Sequence, residues 1–250
     1  MMTAAHKPYR MPDDPMYLPV QVGAAGKETI EGYTRDDTGE NISVKNPSYC
    51  ELTGLYWLWK NRRADAAGLV HYRRYFTGSD RGDKWARIIG HTELEWMLKK
   101  APVLLPKKRH YWIESTYDQY VHAHHAQDLD LTRQILEERY PEYTAAFDRV
   151  MKKTSGHRFN MFVMMWDRLD AYCTWLFDVL GELESRLDTS DYDDYSARVY
   201  GFVAERLLDV WIITNDIGYE ELPYEFMEKQ NWIRKGGAFL LRKIRGGAGR

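Results

Sequence analysis

The spacing of apolar and polar positions divides the chain into short strands and longer helices. Ala67–Tyr72 is a compact apolar run of strand length; Pro102–Leu105 is a second, closed by Pro106 and the basic Lys107-Lys108-Arg109. Met161–Trp166 reads as a buried strand. It feeds a long helix capped by Asp167, with apolar residues at 169, 172, 173, 176, 177, 180, 183 and 187, the three-and-four spacing of an amphipathic helix. Asn46-Pro47 reads as an N-cap followed by proline at the first helical position, opening a helix to Asn61 with Leu55, Leu58 and Trp59 on its stripe. Further helices are expected around Thr116–His125 and Leu129–Tyr140, from Pro141 onward, and through Val199, Val203, Leu207, Val210 and Trp211.

The opening, Met1–Gly26, holds four prolines and Gly23-Ala24-Ala25-Gly26, and reads as extended and loop-rich. Residues 1–5 are too few for a full strand, so a shortened first strand is expected. Arg35–Asn41 is a polar loop with turn chemistry, and no internal repeat is visible. Short strands alternating with helices predict an α/β layer architecture with a mostly parallel sheet flanked by helices. After Glu228 the pattern changes: seven Lys/Arg and no acid follow, interleaved with Trp232, Ile233, Phe239, Leu240, Leu241 and Ile244. One domain over residues 1–228 and a basic amphipathic tail over 229–250 are therefore expected. Such a tail lies on an anionic membrane surface. Gly236-Gly237 and Gly246-Gly247 would break a long helix, so a flexible basic tail is the other reading.

Composition narrows the class. In 250 residues, 44% are hydrophobic and 29% charged, enough for one sizeable core and unlike a disordered chain. With 35 basic against 37 acidic residues the net charge is −2, which argues against a nucleic-acid partner held by phosphate neutralisation. No apolar run approaches the ~20 residues of a membrane span, and no signal peptide opens the sequence, so a cytoplasmic protein is expected. Cys50 and Cys173 fall inside apolar patterns and read as reduced core thiols. Nine Trp and 18 Tyr suit either a large core or a sugar-stacking cleft.

Four groups of residues carry candidate chemistry. Gly68-Leu69-Val70-His71-Tyr72-Arg73-Arg74-Tyr75 ends a strand in one His and two Arg, placing cationic donors at the edge where open α/β sheets bind ligands. The Arg fork suits phosphate oxygens; a solvated strand end is the bland reading. Asp36-Asp37 is either a metal-binding pair or a turn with a capping Asp. His122, His124, His125 and Asp128 resemble a metal cluster in composition but lack a recognisable third-ligand spacing, so a polar helix face with one functional His is preferred. Glu205 and Glu51 both fall among apolar residues; each is either a half-buried acid suited to base work or an intrahelical partner.

Read together, several blocks resemble a bacterial family of capsule, exopolysaccharide and O-antigen glycosyltransferases long catalogued as a domain of unknown function. The blocks are Asp36-Asp37-Thr38-Gly39-Glu40-Asn41-Ile42-Ser43, Lys45-Asn46, Tyr49-Cys50-Glu51-Leu52-Thr53-Gly54-Leu55-Tyr56-Trp57 and Trp59-Lys60-Asn61. Then come Gly68 to Phe76, Asn160-Met161-Phe162, and Gly201-Phe202-Val203-Ala204-Glu205-Arg206-Leu207. The resemblance runs from about His6 to Trp211. It departs at the start, where relatives have a full strand ahead of the element matched by His6-Lys7.

The resemblance implies a GT-A-like, Rossmann-like single domain that moves a hexose, galactofuranose first, from a UDP-sugar to a glycan or lipid-linked acceptor. In the usual GT-A pattern an Asp-x-Asp motif holds a divalent metal on the diphosphate. Here His71, Arg73 and Arg74 stand in that place, and we expect them to neutralise the departing UDP as fixed cations. No resident cofactor is implied, and a divalent metal is the less favoured option. An inverting transfer needs a carboxylate base, for which Glu205 fits best, with Asp128 and Glu51 in reserve. Lys7 is expected to meet the nucleotide or its phosphates, and Asn160 the donor. Met161, Glu51 and His124 are expected on the acceptor side. Peripheral contact with the inner face of the cell membrane is expected through residues 229–250. The competing classes are a metal-dependent transferase using Asp36-Asp37, a hydrolase built on the histidines with Asp128, and a non-catalytic scaffold of glycan assembly.

Overall fold

A computed structural model describes residues 1–111 and 113–228. The strands in chain order are β1 (Met2–Ala5), β2 (Leu18–Gln21), β3 (Thr34–Arg35), β4 (Ala66–His71), β5 (Arg74–Phe76), β6 (Val103–Pro106), β7 (Arg109–His110), β8 (Ser155–Gly156), β9 (Phe162–Met165), β10 (Tyr219–Leu222) and β11 (Tyr224–Phe226). The helices are α1 (Asn46–Tyr49), α2 (Leu52–Asn61), α3 (His91–Leu98), α4 (Thr116–Val121), α5 (Ala126–Arg139), α6 (Pro141–Lys152), α7 (Trp166–Arg186) and α8 (Val199–Thr214). The main sheet runs β10-β6-β9-β4-β1-β2-β3, with the β5–β11 pair attached beside β4. β1, β2, β3 and β4 are mutually parallel, and β6 pairs parallel to β10. β9 is antiparallel to both β4 and β6, so it alone runs against the others on this path.

Alternation along the strands produces two cores, one on each face of the sheet. Leu69, Val103, Leu105, Phe162 and Met164 enter a large cluster with α1, α2 and α5 to α8. Their neighbours Val70, Leu104 and Val163 point the other way, into a smaller cluster with Tyr75, Phe76, Ile89 and Leu94. A strand's side-chain period of two makes this unavoidable once both faces are covered. Gly68 lets β4 lie against β9: a Cβ there would stand 2.5 Å from the Phe162 carbonyl oxygen.

Several expectations are corrected. The first strand is short, as expected, and all four residues of β1 are buried and hydrogen-bonded between β2 and β4 in mid-sheet. The expected helix from Asn46 to Asn61 is two pieces, because Cys50 adopts φ 54°, ψ −130° and breaks it. Asp167 is not the cap of the long helix but lies in its first turn, after Trp166. Cys173 is a buried free thiol as expected, whereas Cys50 is only partly buried. β2, β3, β5, β10, β11 and α3 were not resolved by apolar spacing. Among the described residues no helix is long and apolar enough to cross a membrane. The tail, residues 229–250, lies outside the described residues.

Candidate active site at the end of the central strands

β1 and β4 lie side by side and end together, Ala4 opposite His71, so the chain beyond both meets at one edge of the sheet. A cleft of about 150 Å³ opens there, lined by Cys50, Glu51, His71, Arg73, Arg74, Phe159, Arg198, Gly201, Phe202 and Glu205. The residues come from four places in the fold: the α1–α2 break, the end of β4, the turn before β9, and the start of α8.

Its walls are cationic. The Arg74 guanidinium lies 3.6 Å from the centre of the Phe159 ring and 4.7 Å from that of Phe226. Burial lowers its pKa to about 10, and among the described residues its buried Nε has no hydrogen-bond acceptor. Arg198 donates from Nε to Cys50 Sγ at 3.2 Å and sits over the Phe202 ring. Arg73, half exposed, is 3.5 Å from Glu228, which also lies 4.0 Å from Lys7. Such rim pairs contribute little to stability.

His71 differs from the expectation of a cationic imidazole. Its Nε2 is 2.6 Å from the Phe159 carbonyl oxygen, and burial, reinforced by Arg74, pushes its pKa down to about 3. The ring is therefore neutral at pH 7 and donates Nε2–H to that carbonyl. The fixed cations are the three arginines.

Two carboxylates face them. Glu205, in the second turn of α8, has Arg206 Nη1 3.2 Å from its Oε2. Glu51 stands ahead of α2, its Oε1 accepting from Asn160 Nδ2 at 2.7 Å, with His71 Nε2 3.9 Å away. Burial raises the Glu51 pKa above the ordinary carboxylate value. The same Asn160 amide donates to the Gly201 carbonyl at 3.0 Å. Gly201 lets α8 approach closely, since a Cβ would stand a tight 3.2 Å from Cys50 Cβ and Sγ. Burial also raises the Cys50 thiol to about 11, so it is a neutral wall of the cleft rather than a core thiol.

Backbone strain is concentrated here. Among the described residues, the non-glycine positions with positive φ are Cys50 (54°), Phe159 (79°), Asn160 (52°) and Asp216 (48°), and the first three surround Glu51. Each costs about 1–3 kcal/mol and persists only where its surroundings over-determine it. A buried ionic network supplies that constraint. The His157 backbone N–H donates to Asp209 Oδ2 at 3.0 Å, and its ring lies between Asp209 and Glu221. Arg158 donates to the His157 carbonyl (2.7 Å), Thr116 Oγ1 (3.0 Å) and the Tyr111 hydroxyl (3.1 Å).

Other expected site residues lie elsewhere. Asn160 is 2% exposed and sits behind Glu51 rather than on the cleft wall. Met161 is fully buried in the smaller core cluster, so it has no face toward an acceptor. Asp128 is also fully buried, and accepts from the Tyr120 and Tyr192 hydroxyls. Both of its oxygens are occupied away from the cleft. His124 is enclosed by the rings of Tyr120, Tyr195 and Phe202, and reaches the cleft only through Phe202. His122 pairs with Glu114 and His125 stacks on Tyr192, so the three histidines do not converge.

Asp36 is fully buried and accepts from the backbone N–H groups of Gly23 and Ala24 and from the Ser43 and Thr53 hydroxyls. Asp37 is bound to Arg35. The acidic pair is thus occupied in holding the β2–α1 connection. Among the described residues no group of three or more His, Cys, Asp or Glu is arranged to hold a metal ion. Arg198, Cys50, Phe159 and Phe202 were missed as site residues. Cys50 and Phe202 lie within the blocks and Phe159 abuts one, but nothing in their spacing points to a cleft.

The family profile described as a domain of unknown function (DUF4422) matches residues 1–216. In three dimensions the chain is similar to the apo structure of WbbM, a bifunctional glycosyltransferase, with a TM-score of 0.84 and 32% identity. The match covers 91% of this chain and 45% of that one, so the chain spans less than half the length of WbbM. This likeness bears out the expected α/β architecture. No curated protein matches the chain in sequence.

Proposed function

The chain belongs to the DUF4422 family, and on that premise we propose that it is a glycosyltransferase that moves a hexose from a UDP-sugar to a glycan or lipid-linked acceptor. The observation that carries this reading is the cleft itself: Arg73, Arg74 and Arg198 converge with Glu51 and Glu205 at the end of the central strands. Departing UDP gains negative charge as the glycosidic bond breaks. Prearranged guanidinium groups stabilise that charge without reorganisation. The buried Arg74 Nε, without an acceptor among the described residues, fits an anionic ligand. The WbbM likeness supports the reaction class.

In the finer reading the donor is UDP-galactofuranose, the transfer is inverting, and the arginines serve in place of a metal. One cleft carboxylate, Glu51 or Glu205, accepts the proton of the acceptor hydroxyl. The setting is surface-polysaccharide assembly on the cytoplasmic side of the membrane, with residues 229–250 touching that surface. The motif blocks named above support these specifics.

The test is a thermal-shift screen, followed by calorimetry, with UDP, UDP-galactose and UDP-galactofuranose, each with and without EDTA. A ligand that binds only the folded state raises its apparent stability. Selective stabilisation that survives EDTA is the expected result. Binding lost on chelation would overturn the metal-free reading, and no binding of any UDP compound would favour a scaffold.

A further inference from the structure

Which of the two carboxylates takes the proton is decided by how each is held, and this step rests on the glycosyl-transfer reading above. Glu205 is engaged with fixed cations: Arg206 Nη1 touches its Oε2, and Arg74 acts on it across the cleft. Its place is that of a counter-ion to Arg206, whereas Arg74 acts on Glu205 and Glu51 alike.

Glu51 is held differently. The strained residue Cys50 ends α1 and turns the chain, so that Glu51 enters the cleft at the head of α2. Opposite it, the left-handed pair Phe159-Asn160 presents two groups to the same spot. The Phe159 carbonyl takes the His71 Nε2–H, and the Asn160 amide takes Glu51 Oε1. Asn160 is itself fixed by its second bond to Gly201, at the expense of a buried Oδ1 with no partner among the described residues. Left-handed backbone at Cys50 and Asn160 and one orphaned acceptor thus converge on the placement of one carboxyl group, and Phe159 fixes the imidazole beside it. A fold that needed only a packed side chain here would have no use for them.

The groups facing Glu51 are His71 from the end of β4, Arg74 from the start of β5, Arg198 and Glu205 from the α8 side, Asn160 from the turn, and Cys50 beside it. Asn160, Arg198 and Arg74 favour the charged carboxylate, burial opposes them, and burial prevails. That is the environment of a base rather than of a permanent counter-ion.

We infer that Glu51 is the catalytic base for the acceptor hydroxyl, and that Asn160 is the positioning residue that aims it. As the acceptor oxygen bonds to the anomeric carbon, its proton passes to the Glu51 carboxylate. The bond from that carbon to the diphosphate oxygen breaks, and its electron pair leaves with UDP. Glu51 ends protonated, UDP gains one negative charge, and atoms and charge balance.

The experiment follows UDP release from UDP-galactofuranose, with an alkyl galactoside as acceptor, across pH 5 to 9. Glu51→Gln is expected to lose turnover by about 100-fold or more, with UDP affinity by calorimetry within threefold of wild type. Its melting temperature at pH 7 should be unchanged or higher, since a buried charge is removed. Glu205→Gln should retain the acidic limb of the rate profile. Asn160→Asp keeps a side chain that tolerates positive φ but sets a second carboxylate against Glu51. It should move the acidic limb of kcat to higher pH, leaving the KM for donor unchanged. Turnover of Glu51→Gln within threefold of wild type, or an acidic limb that vanishes in Glu205→Gln and stays in place in Asn160→Asp, would overturn the assignment. Wild-type protein that neither binds UDP nor releases it from a UDP-hexose would instead overturn the glycosyl-transfer reading itself.

Discussion

The role of Asp36 can be tested by replacing one carboxylate oxygen with an amide. In Asp36→Asn the side chain keeps its shape but exchanges an acceptor for a donor. In the native protein Oδ2 accepts from Gly23 N at 2.8 Å and Thr53 Oγ1 at 2.7 Å. Oδ1 accepts from Ala24 N at 2.9 Å and from Ser43 Oγ. Whichever side the amide takes, two donors lose their carboxylate acceptor: the backbone N–H meets an N–H group, while the hydroxyl can turn to accept from it. Hydrogen bonds to a charged group contribute about 1.5–3 kcal/mol each, so two lost bonds set a ceiling of about 3–6 kcal/mol. Part is returned because a buried charge is no longer desolvated, leaving a net loss of about 2–4 kcal/mol. For a domain of this size each kcal/mol lowers Tm by roughly 2–4 °C, so a drop of roughly 4–16 °C is expected. Urea titration and thermal melts followed by tryptophan fluorescence read it directly, and UDP binding by the folded variant should persist. A variant that melts with wild type but has lost manganese-dependent UDP binding would refute this reasoning and make Asp36 a metal ligand.

Three further outcomes are expected. Gly68→Ala, whose Cβ would stand 2.5 Å from the Phe162 carbonyl oxygen in the centre of the sheet, should cost about 1–3 kcal/mol in urea unfolding. Arg74→Ala and Arg198→Ala should each weaken UDP binding in calorimetry by about 10–100-fold, the loss of one charge-assisted bond to phosphate, and unchanged affinity would remove that arginine from the donor site. His124 has its pKa lowered to about 4 by burial and by Arg206; the unfolded chain therefore takes up a proton below about 6.5 that the folded chain refuses. Stability contributed at neutral pH is lost as pH falls from there toward 4, and His124→Phe should show a shallower decline of melting temperature over that range.

Residue pattern alone determined the elements whose signals are local. The compact apolar runs that became β4, β6 and β9, and the three-and-four spacing of α7, follow from which side chains must leave water, and that demand is written at each position. Composition and alternation were enough for an α/β architecture, and motif blocks were enough for the family. Contacts across long stretches of chain were not legible. Glu51 and Asn160 are 109 positions apart and meet only because β9 returns antiparallel beside β4. Asp36 stayed open between a metal-binding pair and a turn cap because its four donors come from residues 23, 24, 43 and 53. His71 looked cationic because burial, which removes its charge, is a property of the folded surroundings and not of the residue. Protonation state and partner choice depend on the dielectric and the neighbours that tertiary packing supplies, and one-dimensional spacing carries no record of either.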